Sequence, residues 1–305
     1  WVAASDYRGE IAVSDELLKR TADAYRRIRN TLRFMLGNLD GFEPGAHRVA
    51  VEDMLALDRW AVSRANELQD EIRQAFDNFE FHKVYQKLHN FCVVDMGGFY
   101  LDVIKDRLYT TQADSRARRS AQSAMYELAH AIVRWIAPVL SFTADEVWQH
   151  LPGAEGDSVL LETWHDLPGA TADDIDWTSV IAVRDAVKKE LEAQRKNGII
   201  GGALDAEVCL YCTADLLSKL QPLADELRFV LITSTADLES SDAAPADTIA
   251  TEMPGLSLVV KASEQAKCVR CWHRRENVGS YADHPELCGR CVENVDGDGE
   301  QRLYA

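Results

Sequence analysis

The sequence predicts a mainly α protein: a helical bundle followed by a small α+β domain and a four-cysteine zinc finger. Three observations carry this. Four long stretches of helical apolar periodicity fill the first half, the pattern then shifts to shorter mixed segments, and two Cys-x-x-Cys pairs stand near the end. The boundaries read as 1–151 for the bundle, 152–175 for a Gly-, Asp- and Pro-rich connection, 176–262 for the α+β domain and 263–305 for the finger.

The first helix spans 14–39. Ser14 is its N-cap, Asp15 and Glu16 sit where the helix dipole favours anions, and Leu18, Tyr25, Ile28, Leu32, Leu36 and Leu39 form one stripe. Helices follow over 51–79, 81–109 and 114–140, the last ended or kinked by Pro138, with a shorter one over 143–151. Beyond the connection the pattern predicts helices over 177–197 and 214–227. Strands are predicted at 206–212, 228–234 and 256–262. Residues 239–255, poor in large apolar side chains, read as an exposed loop.

Of 305 residues, 33 are basic and 50 acidic, giving a net charge of −17. The excess is local: residues 1–140 and 261–305 are each near −1, and residues 141–260 carry −15. An acidic total ordinarily argues against nucleic acid, but both near-neutral ends hold basic clusters, so that partner class stays open. Composition excludes fibrous and wholly disordered chains, and no apolar run is long enough for a membrane helix. The opening Trp1 to Tyr7 has neither an initiating Met nor a leader pattern, so the sequence is expected to be cut from a longer, cytoplasmic chain.

Cys268-x2-Cys271-x16-Cys288-x2-Cys291 has the spacing of a tetrahedral zinc site, each pair aiming two thiolates at one point. Four thiolates leave no open position, so one structural Zn2+ is expected. Two disulfides are the alternative, and the three further cysteines and missing leader weigh against an oxidised framework. Cys209 and Cys212 match the same pair spacing but fall in a predicted strand, where they face opposite ways. Cys92 reads as core, and His273 and His284 as fallback ligands only.

Trp272 beside Arg270, Arg274 and Arg275 would offer RNA a stacking plane flanked by guanidiniums. The alternative is that Trp272 covers the small metal core while the arginines pair with Glu264, Glu276 or Glu286. Arg26, Arg29 and Arg33 form a second basic flank on the first helix, and Lys105, Arg107, Arg116, Arg118 and Arg119 a third cluster. No constellation for catalysis is present: there is no phosphate loop, no Gly-x-Ser-x-Gly and no His-Glu-x-x-His. The run Lys196 to Gly202 lacks the Gly-Lys-Ser/Thr of a phosphate loop and reads as a helix stop.

The opening Trp1-Val2-Ala3-Ala4-Ser5-Asp6-Tyr7, the helical Tyr25 to Phe34, Pro138 to Trp148 and the two cysteine knuckles together resemble the carboxy-terminal part of bacterial isoleucyl-tRNA synthetases. The resemblance runs from end to end. It implies a class I anticodon-binding helical domain, a small extension and a terminal zinc finger that helps hold the anticodon loop of isoleucine tRNA. The family's ATP-binding signatures, His-Ile-Gly-His and Lys-Met-Ser-Lys-Ser, are absent here. ATP with Mg2+ therefore belongs to the parent enzyme, expected to be monomeric, and this piece is expected to be inactive without the missing catalytic domain. The RNA contacts expected are Trp272 and Arg270 first, then Arg274 and Arg275, then Arg26, Arg29 and Arg33, with packing of Asn30 or Arg29 against the missing catalytic domain as the alternative. Three rivals remain: a formamidopyrimidine-type DNA glycosylase with the same finger spacing, the matching region of a valine or leucine synthetase, and a non-catalytic zinc scaffold.

Overall fold

The computed structural model describes residues 1–169 and 175–305. Two compact units interleave along the chain: residues 1–102 with 119–172, and residues 103–118 with 173–305.

In the first unit, α1 (Asp15–Asn38) starts at Ser14, whose Oγ accepts the Leu17 N–H at 3.2 Å. Its buried face is Ala24, Ile28, Thr31, Leu32 and Met35, while Leu18 is exposed. Then come α2 (Ala56–Asp77) and α3 (Phe81–Asn90), which runs through a π-helical stretch, Phe91–Tyr100, into α4 (Leu101–Thr110). The expected single helix over 81–109 is thus continuous but wider in its middle. Gly97 and Gly98 suit that widening, since a Cβ on either would stand 3.2 Å from the carbonyl oxygen of Cys92 or Val93. Next are α5 (Arg116–Ile136), ending two residues before Pro138, and α6 (Ser141–Trp148).

Two sets of buried polar groups inside this unit are matched to one another. Asp58 accepts from Tyr100 Oη at 2.7 Å and from the Ser120 hydroxyl, and Ser120 Oγ accepts the Leu55 N–H at 2.8 Å. Trp135 Nε1 donates to Gln69 Oε1 at 3.0 Å, and Gln69 Nε2 donates to the His165 carbonyl at 2.9 Å. Such pairing avoids the penalty of an unsatisfied buried donor, about 1–3 kcal/mol each.

The second unit contains α7 (Trp177–Lys196), capped by Asp176 and stopped by Gly198 at φ +74°. Its remaining elements are β1 (Ala206–Cys212), α8 (Ala214–Leu220), α9 (Leu227–Leu231), β2 (Thr235–Ser240), β3 (Ile249–Ala250), β4 (Leu256–Ala262) and α10 (Gly289–Asp296). The sheet order is β2-β1-β4-β3, with β1 parallel to β2 and antiparallel to β4. Along β1, Ala206, Val208, Leu210 and Cys212 are buried and alternate with Cys209 on the other face.

Three expected elements differ. The helix expected over 214–227 is α-helical only to Leu220, where Gln221–Leu223, with its Pro222, tightens into a 3-10 turn. The strand expected over 228–234 is the helix α9: Phe229, Val230 and Leu231 are all buried, Ile232 turns left-handed at φ +58°, and the strand begins only at Thr235. A short continuous apolar run has no period to separate strand from buried helix. The expected loop over 239–255 contains the end of β2 and the whole of β3. Among the described residues, no helix is long and apolar enough to cross a membrane.

Candidate metal centre and nucleic-acid interface

The four knuckle cysteines converge. Cys268, Cys271, Cys288 and Cys291 are all buried, and their Sγ atoms lie within 4.8 Å of one another. Cys271 Sγ and Cys288 Sγ are 3.7 Å apart. A tetrahedron with Zn–S bonds of about 2.3 Å has sulfur–sulfur edges of roughly 3.8 Å, so the cysteines fit zinc. The same distance is far beyond a disulfide bond of about 2.05 Å.

Backbone geometry makes the site. The Cys268 N–H donates to the His273 carbonyl at 2.9 Å and the Trp272 N–H to the Cys268 carbonyl at 3.0 Å, which folds the first pair into a tight turn. The second pair opens α10, and the Cys288 N–H points at Cys268 Sγ from 3.4 Å, a donor suited to a thiolate. At Gly289 a Cβ would stand 2.5 Å from Tyr281 Oη, so only glycine lets Tyr281 close over this turn undisturbed. Hydrogen bonds with Cys271 and then Cys291 hold the Cys288 thiol well below the usual thiol range, which favours the metal-binding thiolate. Val278 and Leu287 pack against the cysteines, so this module has almost no apolar core besides the sulfurs.

Neither histidine joins the cluster, which among the described residues consists of the four sulfurs alone. His273 is buried, edge-on to Phe229 at 5.9 Å, and His284 Nε2 lies 2.6 Å from Asp296. Cys92 and Cys212 are buried elsewhere.

Trp272 does not cover the metal core. Its side chain is 60% exposed, its backbone is left-handed at φ +66°, and Lys267 Nζ lies 5.9 Å from its ring centre. The neighbouring arginines are half-buried and occupied: Arg270 donates to the Thr110 carbonyl, Arg274 to Asp205 at 2.8 Å and the Gln265 carbonyl at 3.0 Å, and Arg275 to the Ser234 carbonyl at 3.3 Å. Their partners are therefore Asp205 and main-chain oxygens, which local sequence could not reveal.

In the first unit the α1 arginines diverge. Arg26 pairs with Asp23 on the surface, while Arg29 reaches Glu146 at 3.4 Å. Arg33 is exposed and has no ion pair among the described residues. Arg29 and Arg33, with Leu36, Glu146, Val147 and His150, line a cleft of about 310 Å³. His150 and Glu146, from α6 and the turn after it, carry no local pattern that would mark them as part of this cleft.

In this chain an exposed aromatic on a four-cysteine knuckle accompanies a helical bundle. The family model described as the anticodon-binding domain of tRNA ligase matches residues 58–210, half of the chain, and the zinc finger found in FPG and IleRS matches residues 266–294. The chain belongs to the anticodon-binding family of tRNA ligases. Its close relatives are isoleucine–tRNA ligases. That of Nitrosococcus oceani is 60% identical over 310 residues and that of Alkalilimnicola ehrlichii 58% over 316. Isoleucine–tRNA ligase 1 of Pseudomonas fluorescens is 56% identical over 310 residues. Each match takes in 100% of this chain but 33% of the relative, so the chain spans about a third of the length of the curated relatives it matches. The finger is common to both enzyme classes weighed above, and the bundle decides against the glycosylase.

Proposed function

We propose that this chain is the tRNA-binding portion of an isoleucine–tRNA ligase and grips the anticodon stem-loop of isoleucine tRNA. The parent enzyme, a cytoplasmic monomer in this reading, joins isoleucine to its tRNA with ATP and Mg2+ through segments outside this chain. Binding energy gathered at the anticodon end orients the tRNA for chemistry elsewhere.

The observation that carries the reading is the exposed Trp272 on the cysteine knuckle. An indole held on a rigid turn can stack on an unpaired base, and Lys267 supplies a nearby positive charge. Cys268, Cys271, Cys288 and Cys291 hold one Zn2+ that cross-links the two knuckles. With its four positions filled by sulfur, the metal stiffens the finger and takes no part in catalysis. Arg33, exposed beside Arg29 on the α1 cleft, is suited to a phosphate, and the donors left on Arg270, Arg274 and Arg275 can add to the grip. Arg26 makes only an exposed pair with Asp23, which phosphate can displace.

Filter binding with isoleucine tRNA, valine tRNA and duplex DNA across a salt series tests this. Isoleucine tRNA should bind most tightly, with log Kd rising linearly with log salt. A preference for duplex DNA, or equal affinity for all three, overturns it.

A further inference from the structure

The finger is fastened to a helix far away in sequence. Asp106, on α4, faces Arg290 between the second pair of cysteines: Arg290 NH1 lies 2.6 Å from Asp106 Oδ2 and NH2 lies 2.8 Å from Oδ1, a two-pronged ion pair. Arg302 NH2 adds a third contact at 2.6 Å to Asp106 Oδ2. All three side chains are largely shielded, with 16%, 11% and 2% exposure for Asp106, Arg290 and Arg302. Burial alone would raise the Asp106 carboxyl, but Arg290 and then Arg302 hold it well below the usual carboxylate range.

The surrounding contacts converge on the same helix end. The Thr110 carbonyl, in the last turn of α4, accepts from Arg270 of the first knuckle, and Gln112 Nε2 donates to the Gly297 carbonyl just beyond α10 at 2.8 Å. Arg302 lies over Phe229 with its guanidinium carbon 3.2 Å from the ring centre, and Glu300 accepts from Arg290 at 3.1 Å. Both knuckles and the segment after α10 are therefore tied to the last turn of α4 and the two residues that follow it.

Four cysteines alone would fix the finger's internal shape but leave its direction free. We infer that Asp106 is a positioning residue for tRNA binding: through Arg290 and Arg302 it sets the orientation in which the finger presents Trp272. The inference rests on the proposed RNA contact of Trp272. Asp106 touches no RNA in it and acts only through the finger.

The test measures the affinity of the whole 305-residue chain for an isoleucine tRNA transcript in four forms: native, Asp106→Asn, Trp272→Ala and the double variant, with Asp106→Glu as the conservative control. Zinc content is measured on each preparation. Asp106→Asn should weaken binding about tenfold at one zinc per chain, and Asp106→Glu should recover part of the loss. The double variant should lose clearly less than the sum of the two single losses, because most of what Asp106→Asn costs is the misplaced indole that Trp272→Ala has already removed. Native affinity for Asp106→Asn, additive losses in the double variant, or loss of zinc from Asp106→Asn would each overturn the inference. Native affinity for Trp272→Ala would instead overturn the RNA contact itself and the inference with it, so the two failures are told apart.

Discussion

Cys271 and Trp272 are adjacent in sequence and opposite in environment: the thiol is 6% exposed inside the sulfur cluster, and the indole is 60% exposed outside it. The reversal between them uses a left-handed backbone at Trp272, φ +66°, a conformation that costs a bulky residue about 1–2 kcal/mol and a glycine almost nothing. A residue kept under strain where glycine would be easier points to a use for its side chain.

Trp272→Gly should therefore separate stability from function. The metal module should keep its zinc and gain about 1 kcal/mol in a chelator or denaturant titration. Affinity for isoleucine tRNA should fall about tenfold or more, the loss of one stacked base. Unchanged affinity would return Trp272 to the role of a tolerated surface residue.

Zinc removal should act locally. Since sulfur supplies nearly all of the module's core, chelation should strip protection from amide exchange over residues 266–294 while leaving α1, α2 and α5 protected. Hydrogen exchange followed by mass spectrometry reads both regions in one experiment. Full protection of the finger without metal would mean that its fold rests on other contacts.

Cysteine substitutions should divide sharply. Cys291→Ser should reduce zinc well below one per chain, whereas Cys209→Ser should leave it unchanged, because Cys209 and Cys212 lie on opposite faces of β1 and outside the cluster. Metal analysis of purified variants suffices.

His130 sets a pH dependence in the first unit. Burial pushes its imidazole down to about 4, and both ring nitrogens are engaged in the neutral form, Nε2 with the Pro152 carbonyl at 2.9 Å and Nδ1 with Arg134 at 3.1 Å. His165 stacks on its ring at 5.3 Å, Arg48 is a further repelling charge, and buried Glu127 pairs with both His165 and Arg48. The folded value lies below the unfolded one of about 6.5, so the unfolded chain binds more protons between them. The associated stability is complete above about pH 6.5 and is lost as pH falls toward 4, by about 2 kcal/mol at pH 5. Urea midpoints at pH 7 and pH 5 should show this slope in the native chain and a flatter one in His130→Gln.

Much of the fold was legible because it is local. The α1 cap at Ser14, the stop at Gly198 and each Cys-x-x-Cys pair are written within a few residues. The strand expected at 228–234 failed because burial on every side erases periodicity, and whether Arg-Phe-Val-Leu is helix or strand was decided by packing. Around Trp272, sequence showed the arginines but not their engagements. Arg274 meets Asp205 across 69 positions, and Asp106 meets Arg290 across 184. Such separations leave no pattern in a single chain.

The chain enters the second unit at Val103 and leaves it after Arg118, both times within continuous helix. Subcloning the bundle as residues 1–151 would thus carry an orphan: Asp106 would keep its carboxylate and forfeit both guanidiniums, while Thr110 and Gln112 lost their partners as well. Anyone dissecting this protein into pieces should keep α4 together with the finger, the element that its guanidiniums are built to meet.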